Sequence, residues 1–267
     1  MKVIAVANQK GGVGKTTTAV NLAHCLAMDK QTKPRVLVAD LDAQSNCTTW
    51  FMGEREFTNK SMAEVLLREI EIKDCIVETT FGLDLLPGHI ALASLDIDLA
   101  GEINRDMRLK KSLDIISNKY DFVVIDCPPS LGIVTINALA AADIVIVAIQ
   151  THSFPFEAVS RLMNTLRKLV IEYEKKMKIL ALPTIFDRTI IAKTVLQEIE
   201  GKFEHLTLSP IHKNTKLPEA AAARQPIMVY DPTSVGTLDY QRVAKEIIDD
   251  ILSEEQKAQI RKRMEER

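Results

Sequence analysis

Two lysines flank a glycine-rich segment near the start of the chain. Residues 7–18 read ANQKGGVGKTTT, with Lys10 and Lys15 five positions apart. A phosphate-binding loop of the pattern G-x-x-x-x-G-K-[ST] uses one lysine to contact the β- and γ-phosphates of a nucleotide. That pattern requires a glycine at position 9, where this sequence has Gln9. The segment is therefore either a chance match or a variant loop that has a separate use for Lys10.

The other residues of the segment suit phosphate binding. Glycines allow backbone N–H groups to approach phosphate oxygens without interference from a Cβ atom. After the lysine, Thr16 offers a hydroxyl to Mg²⁺, and Thr17 offers an N–H group and a hydroxyl. The predicted nucleotide-binding residues of the loop are Gly11, Gly12, Val13, Gly14, Lys15, Thr16 and Thr17.

Three aspartates follow two apolar segments. Asp40 and Asp42 come after residues 36–39, and Asp126 comes after residues 122–125. The carboxyl ends of parallel strands meet at the edge of the sheet where ligands bind, so these carboxylates are expected beside the loop. We predict that Asp42 orients or deprotonates the attacking water and acts with Lys15 in catalysis. The predicted metal-binding residues are Thr16, Asp40 and Asp126.

The elements that must position these residues alternate along the chain. Predicted strands cover residues 3–6, 36–39, 122–125, 144–149, 179–182 and, more weakly, 83–86. Predicted helices cover residues 17–27, 107–117, 133–141, 156–173, 192–202 and 235–252. Continuous apolar strands that alternate with helices indicate an α/β fold with a mostly parallel, twisted sheet covered by helices on both faces. No linker rich in Pro, Gly or Ser divides the chain, so we expect a single domain over residues 1–252 and a charged helical tail over 253–267.

Composition excludes several classes of protein. The net charge of −2 and the pI of about 6.2 show no global basic excess, so any DNA binding must use a local basic patch. We expect no signal peptide, because the first residues lead directly into an apolar strand and the glycine-rich loop, and no apolar run is long enough to span a membrane. The scattered cysteines argue against a zinc site or a disulfide framework and favour the cytoplasm; they are Cys25, Cys47, Cys75 and Cys127.

One short motif bears on the identity of the base. Residues 118–121 read NKYD and match N-K-x-D, which is the guanine-reading signature of GTPases. Asp121 directly precedes the strand at 122–125, which places the motif at the edge of the sheet opposite the phosphate loop. We therefore interpret the match as chance and predict that ATP is the nucleotide.

Taken together, the motifs resemble those of the ParA/Soj partition ATPases. KGGVGKTT at 10–17, DLDAQSN at 40–46 and DCPPS at 126–130 are similar to the deviant Walker A class of P-loop ATPases, which includes MinD and the nitrogenase iron protein. YDPTSVG at 230–236 and YQRVAKE at 240–246 resemble the C-terminal region of ParA. The resemblance covers residues 1–252.

This resemblance implies a use for the extra lysine. In the class, two subunits sandwich two ATP molecules, and the first lysine of the loop contacts the phosphates of the partner. It therefore implies a homodimer in the ATP state, with Lys10 as a further catalytic and nucleotide-binding residue. It also implies weak hydrolysis that a ParB-like or other cargo adaptor protein stimulates, and a cargo that is a plasmid, a chromosome or a protein body. Asn214 lies in a segment that resembles the adenine-side loop of the family.

Three branches of the class remain open. A ParA-type ATPase binds DNA nonspecifically and associates with the nucleoid, a MinD-like ATPase binds membrane, and a third group contains metabolic enzymes. Residues 253–267 offer only Ile260 and Met264 as sizeable apolar groups, which is too little for membrane attachment. Residues 161–224 carry twelve Lys or Arg against seven Asp or Glu, which favours DNA. The DNA contacts that the resemblance implies are Arg188, Lys213, Lys216 and Arg224.

Overall fold

The computed structural model describes residues 1–53, 60–152, 156–251 and 260. Within these residues the chain forms a seven-stranded sheet in the order β3-β4-β2-β5-β1-β6-β7. All neighbouring strands are parallel except β3, which pairs antiparallel with β4 at one edge. The strands are β1 (Lys2–Ala7), β2 (Val36–Asp40), β3 (Val77–Glu78), β4 (Asp84–Leu86), β5 (Phe122–Asp126), β6 (Ile144–Gln150) and β7 (Lys178–Thr184).

Helices connect the strands. They are α1 (Lys15–Ala27), α2 (Asn46–Met52), α3 (Met62–Leu67), α4 (Ile72–Cys75), α5 (Leu95–Asp98), α6 (Arg108–Ile115), α7 (Ile133–Ala141), α8 (Phe156–Glu172), α9 (Ile190–Phe203), α10 (Lys216–Ala222), α11 (Ile227–Tyr230) and α12 (Val235–Ile251). Short 3₁₀ helices cover Ile90–Ser94, Arg105–Met107 and Glu204–Leu206.

Both faces of the sheet are buried, which explains the continuous apolar strands. Successive side chains of a strand point to opposite faces. In β1, Val3 and Ala5 therefore pack into one core with α6, α7 and α8, whereas Ile4 and Val6 pack into a second core with α1 and α12. The prediction of a mostly parallel sheet with helices on both faces is confirmed.

Strand register brings the predicted site residues to one edge. β5 lies between β1 and β2, with Asp126 opposite Val6 on one side and opposite Asp40 on the other. The Leu41 N–H donates to the Asp126 carbonyl oxygen at 3.0 Å, which continues this pairing past the end of β2. The phosphate loop and the aspartates therefore share the carboxyl edge of the sheet.

Several short elements were not predicted from the sequence. The strand β3 has two residues, and helices α3, α4, α5 and α11 have six or fewer, so none of them is long enough to repeat its apolar pattern over two periods. The predicted tail lies outside the described residues except for Ile260, which is buried in the core that contains α1 and α12. In the parts of the chain that the structure describes, no helix is both long enough and apolar enough to cross a membrane.

Candidate nucleotide site

The phosphate loop is anchored at both ends. Asn8 follows β1, and its Nδ2 donates to the Ala148 carbonyl oxygen of β6 at 2.7 Å while its Oδ1 accepts from the Lys10 N–H at 3.0 Å. Val13 is fully buried, and its carbonyl oxygen accepts from the Thr184 hydroxyl at 2.8 Å. The exposed Gly11 and Gly12 therefore lie between Asn8 and Val13, which these contacts hold in place.

Two glycines give the loop its shape. Gly12 and Gly14 have φ of 72° and 85°, in the left-handed region that strongly favours glycine. Gly14 is the N-cap of α1, whose first turn carries no acidic side chain and receives no side-chain cap. The first N–H groups of α1 therefore lack side-chain acceptors at its positive end, which suits them to bind an anion.

Lys15 lies in the loop with its side chain buried, and its Nζ donates to the Lys10 carbonyl oxygen at 3.1 Å. Burial lowers the pKa of this amine, while the nearby Asp126, Cys127 and Asp42 oppose that shift. The cation is thus held at the loop with part of its hydration removed, a state that an anionic ligand stabilises.

Gln9 and Lys10, the residues that distinguish the loop, have separate environments. The Gln9 Oε1 accepts from the Arg161 Nε of α8 at 3.0 Å, so the residue that replaces glycine contacts a helix outside the loop. Lys10 is half-buried at the start of the loop and contributes its backbone to the anchoring described above.

Asp126 ends β5 beside Lys15 and is fully buried. Neither carboxylate oxygen has a hydrogen-bond partner among the described residues, and the Thr16 hydroxyl lies close enough to favour the charged form without meeting hydrogen-bond geometry. Burial, followed by the neighbouring charge of Asp40, raises the pKa of Asp126 well above its ordinary value. A cation at this position would satisfy both the orphaned oxygens and the charge.

Asp40 is engaged by the protein itself. Its Oδ2 accepts from the Thr48 N–H at 2.8 Å and from the Thr48 hydroxyl at 2.7 Å, and its Oδ1 accepts from the Asp42 N–H at 3.1 Å. Burial raises the pKa of Asp40 to about 6, although these hydrogen bonds oppose the shift. Asp40 therefore positions Asp42 and α2 through these hydrogen bonds, and its predicted role in metal binding stays a prediction.

A cavity of about 660 Å³ adjoins the loop. It brings together four parts of the chain: the phosphate loop, the segment after β2, Pro129 after β5, and a wall formed by Thr184 and residues that follow β7. The residues that line it are Gly11, Gly12, Gly14, Lys15, Thr16, Thr17, Asp42, Asn46, Pro129, Thr184, Ile185, Ile211, His212, Lys213, Asn214, Thr215, Leu217, Pro218, Ala221 and Tyr240. The predicted residues Asp42 and Asn214 thus lie in one cavity with the glycines.

The four residues predicted to contact DNA do not share one environment. Arg188 is exposed after β7, and Arg224 is exposed with its guanidinium against Gly53. Lys216 forms an ion pair with Glu219 at 2.7 Å. Lys213 is exposed and also lines the cavity beside the phosphate loop, and its role as a DNA contact stays a prediction.

The NKYD match lies away from this cavity. Asp121 precedes β5, and its Oδ2 accepts from the Arg35 N–H at 2.8 Å at the start of the neighbouring strand β2. This placement at the opposite edge of the sheet agrees with the interpretation of the motif as a chance match.

The acidic residues of the site fit a nucleotide-bound Mg²⁺. Among the residues that the structure describes, no group of three or more His, Cys, Asp or Glu side chains could hold a metal ion by itself. Protein-bound Mg²⁺ commonly uses one or two protein oxygens together with substrate phosphates and waters. Asp126, with its orphaned carboxylate, and the Thr16 hydroxyl supply such oxygens.

Sequence reasoning missed three partners of the site. His212 and Asp239 form a pair across 27 residues, and the Thr48 hydroxyl bonds to Asp40. Trp50 of α2 donates from its indole Nε1 to the Gln225 carbonyl oxygen at 2.9 Å. No motif in the sequence signals these contacts, and two of them, His212–Asp239 and Trp50–Gln225, join segments that only the packed fold brings together.

The family comparison extends over most of the chain. A family model described as an AAA domain matches residues 1–179. The sporulation initiation inhibitor protein Soj of Bacillus subtilis is 39% identical over 250 residues, which are 92% of this chain and 98% of Soj. The chromosome partitioning protein ParA of Caulobacter vibrioides is 35% identical over 254 residues, which are 93% of this chain and 94% of ParA.

Solved structures share the fold over nearly the whole chain. Cobyrinic acid a,c-diamide synthase from Mycobacterium smegmatis, with bound ATP analog and magnesium, superposes with a TM-score of 0.80 at 32% identity, covering 94% of this chain and 96% of that one. A plasmid partition protein from Borrelia burgdorferi superposes with a TM-score of 0.78 at 26% identity, covering 94% and 99%.

Proposed function

The chain belongs to the ParA/Soj family of partition ATPases, and we propose that it hydrolyses ATP weakly, with Mg²⁺, and dimerises in the ATP state to bind DNA without sequence preference. In this proposal residues 1–252 form one ATPase domain, to which 253–267 add a charged tail. The protein acts in the cytoplasm on the nucleoid and segregates or positions a cargo together with a ParB-like or other adaptor that stimulates hydrolysis.

One observation carries the ATPase proposal. The variant phosphate loop opens onto the same cavity as Asp42, and the orphaned carboxylate of Asp126 lies beside Lys15. Solved relatives support the ligand, because the Mycobacterium smegmatis structure contains an ATP analog and magnesium. In our proposal Lys15 and the loop N–H groups bind the phosphates, and Asp42 holds or deprotonates the water.

Asp126 and Thr16 would hold Mg²⁺ in this site. When bound, Mg²⁺ supplies positive charge to the phosphate oxygens as the bond to the terminal phosphate breaks. Asp40 keeps a separate task, since its hydrogen bonds fix the Asp42 backbone and the start of α2.

Lys10 is the residue that we propose acts across the dimer. We expect Lys10→Ala to retain ATP affinity but to reduce the ATPase rate at high protein concentration by roughly 100-fold. Removing one preorganised hydrogen-bond donor to the charge that develops in the transition state commonly slows a reaction by that factor. The rate of the parent protein should rise with protein concentration, because the trans lysine arrives only on dimerisation. Lys30→Ala, at an exposed position, is the matched control. A variant that keeps the concentration dependence of the parent contradicts the trans role.

DNA binding is tested by titrating labelled duplexes of unrelated sequence with ATP, ADP or no nucleotide across a salt series. We expect binding with ATP alone, equal for all sequences and steeply weakened by salt, because phosphate contacts release counterions. Liposome binding in place of DNA binding would favour a MinD-like ATPase. Absence of DNA binding in every nucleotide state would favour a metabolic enzyme, a candidate that the similarity to the Mycobacterium smegmatis synthase supports.

Arg188 is one of the exposed residues among the predicted DNA contacts, and it follows the end of β7. We expect Arg188→Ala to weaken binding to all sequences alike and to reduce the salt slope by about 2, since each phosphate contact contributes about 0.9 and a dimer presents two copies. Lys111→Ala, exposed on α6, is the control. An unchanged slope would remove Arg188 from the DNA surface.

A further inference from the structure

The segment that contains Arg224 is attached to both of the helices that begin at the nucleotide site. Its link to α1 is Asn21, a fully buried side chain in the second turn of that helix. The Asn21 Oδ1 accepts from the Ile227 N–H at 2.7 Å, and the Asn21 Nδ2 donates to the Thr17 carbonyl oxygen at 2.8 Å. Because Thr17 directly follows the phosphate loop, this contact fixes residues 224–227 to the base of the loop.

A second link joins the same segment to α2. Trp50 is only 6% exposed, and its indole Nε1 donates to the Gln225 carbonyl oxygen at 2.9 Å. The helix ends at Gly53, where an added Cβ atom would lie 3.0 Å from the Arg224 Nη1. The Arg224 guanidinium therefore lies at the C-terminal end of α2, where the helix carbonyl groups favour a cation.

The first turn of α2 is attached to the aspartates of the nucleotide site. Thr48 donates its N–H and its hydroxyl to Asp40, at 2.8 Å and 2.7 Å, and Asp40 also accepts from the Asp42 N–H at 3.1 Å. Asn46, the first residue of the helix, lines the cavity together with Asp42. Because α2 has only seven residues, a shift of its first turn would carry Trp50 with it.

We propose that Trp50 is a positioning residue that couples the nucleotide site to Arg224. In this coupling α1 is the fixed end, through Asn21, and α2 is the movable end, because a nucleotide in the cavity meets Asp42 just before α2 begins. A shift of α2 relative to α1 displaces the segment that both helices hold, and thereby sets whether Arg224 reaches a DNA phosphate. The inference rests on the proposed function, since it takes ATP as the ligand of the cavity and DNA as the ligand of Arg224.

The fluorescence of Trp50 tests the first step of this coupling. Trp50 is the single tryptophan of the sequence, so its emission reports the surroundings of α2 without a label. We expect the emission to change when ATP and Mg²⁺ are added in the absence of DNA, and to change less with ADP. An emission that does not respond to ATP, at concentrations that calorimetry shows to be saturating, would overturn the inference because α2 would not follow the nucleotide.

A double-mutant cycle tests the second step. Trp50→Phe keeps an aromatic ring in the buried site but removes the indole N–H, and Arg224→Ala removes the guanidinium. At saturating ATP we expect each variant to bind a labelled DNA duplex more weakly, Trp50→Phe by up to about tenfold, the upper end of the range for one hydrogen bond. Added to Arg224→Ala, Trp50→Phe should cause no further loss, because it acts through Arg224.

Tyr120→Phe is the matched control. It removes a donor from another buried aromatic side chain, whose hydroxyl donates to Asp84 at 2.6 Å at the opposite edge of the sheet. This variant should bind DNA as the parent does, and thermal melts check that every variant is folded. Additive losses in the double variant, or no loss in either single variant, would overturn the inference. If the unmodified protein bound no DNA at saturating ATP, the proposed function itself would fail.

Discussion

Replacing Lys15 with alanine is expected to abolish measurable ATP binding while leaving the protein folded. The Lys15 ammonium is buried at the phosphate loop, and its lowered pKa reflects the hydration that it has lost. In the complex the Lys15 ammonium would donate hydrogen bonds to phosphate oxygens, and each hydrogen bond to a charged group contributes about 1.5–3 kcal/mol. Two such bonds correspond to a loss of affinity of at least about 100-fold. Calorimetric titration with ATP and Mg²⁺ measures this loss directly.

The same substitution removes a partly desolvated cation from the free protein, so it should cost little stability. Lys15→Ala deletes the hydrogen bond from the Lys15 Nζ to the Lys10 carbonyl oxygen. A thermal melt near that of the parent, together with lost ATP binding, would separate a binding defect from unfolding. Lys193→Ala, at an exposed position of α9, is the matched control. If Lys15→Ala kept the parent affinity, the loop would not be the phosphate site.

Much of this site could be predicted because its parts are local in sequence. The loop, the lysine and Thr16 are contiguous, and the aspartates directly follow apolar strands. Parallel pairing then dictates that Asp40 and Asp126 meet at one edge, as the register shows. The strands could also be predicted, because a strand that is buried on both faces is a continuous run of apolar residues. Such a run is visible in the sequence of the strand itself, whichever strands lie beside it.

The separate environments of similar residues in the site could not be predicted, because they depend on how the folded segments pack against one another. Asp40 and Asp126 look equivalent in the sequence, yet Thr48 bonds to the first, whereas the oxygens of the second lack a partner among the described residues. A basic segment marks Lys213 and Arg188 alike, but only the course of the chain after β7 places Lys213 in the nucleotide cavity. Charge counts locate a region of the chain, not the direction that each side chain takes.

Asp42 carries the second large expected effect. Its backbone N–H is held by Asp40, its Oδ1 accepts from the Gln44 N–H at 3.0 Å, and its side chain lines the cavity with Lys15. We expect Asp42→Asn to bind ATP with near-parent affinity and to hydrolyse it roughly 100 to 10,000 times more slowly, the usual contribution of a positioned general base. Single-turnover hydrolysis with protein in excess over ATP measures the chemical step without product release.

Asparagine is the informative replacement because it keeps the shape of Asp42 and an oxygen that can accept from Gln44, while removing the negative charge. A slow variant with intact ATP binding would hold the ATP state and, under the proposed function, remain on DNA long after the parent has dissociated. Asp114→Asn controls for the loss of a carboxylate, since Asp114 lies in an exposed ion pair with Lys110 on α6, away from the cavity. Unchanged hydrolysis would remove Asp42 from the mechanism. Equal losses of binding and hydrolysis would make it a nucleotide-binding residue, so the two measurements together decide what this carboxylate does.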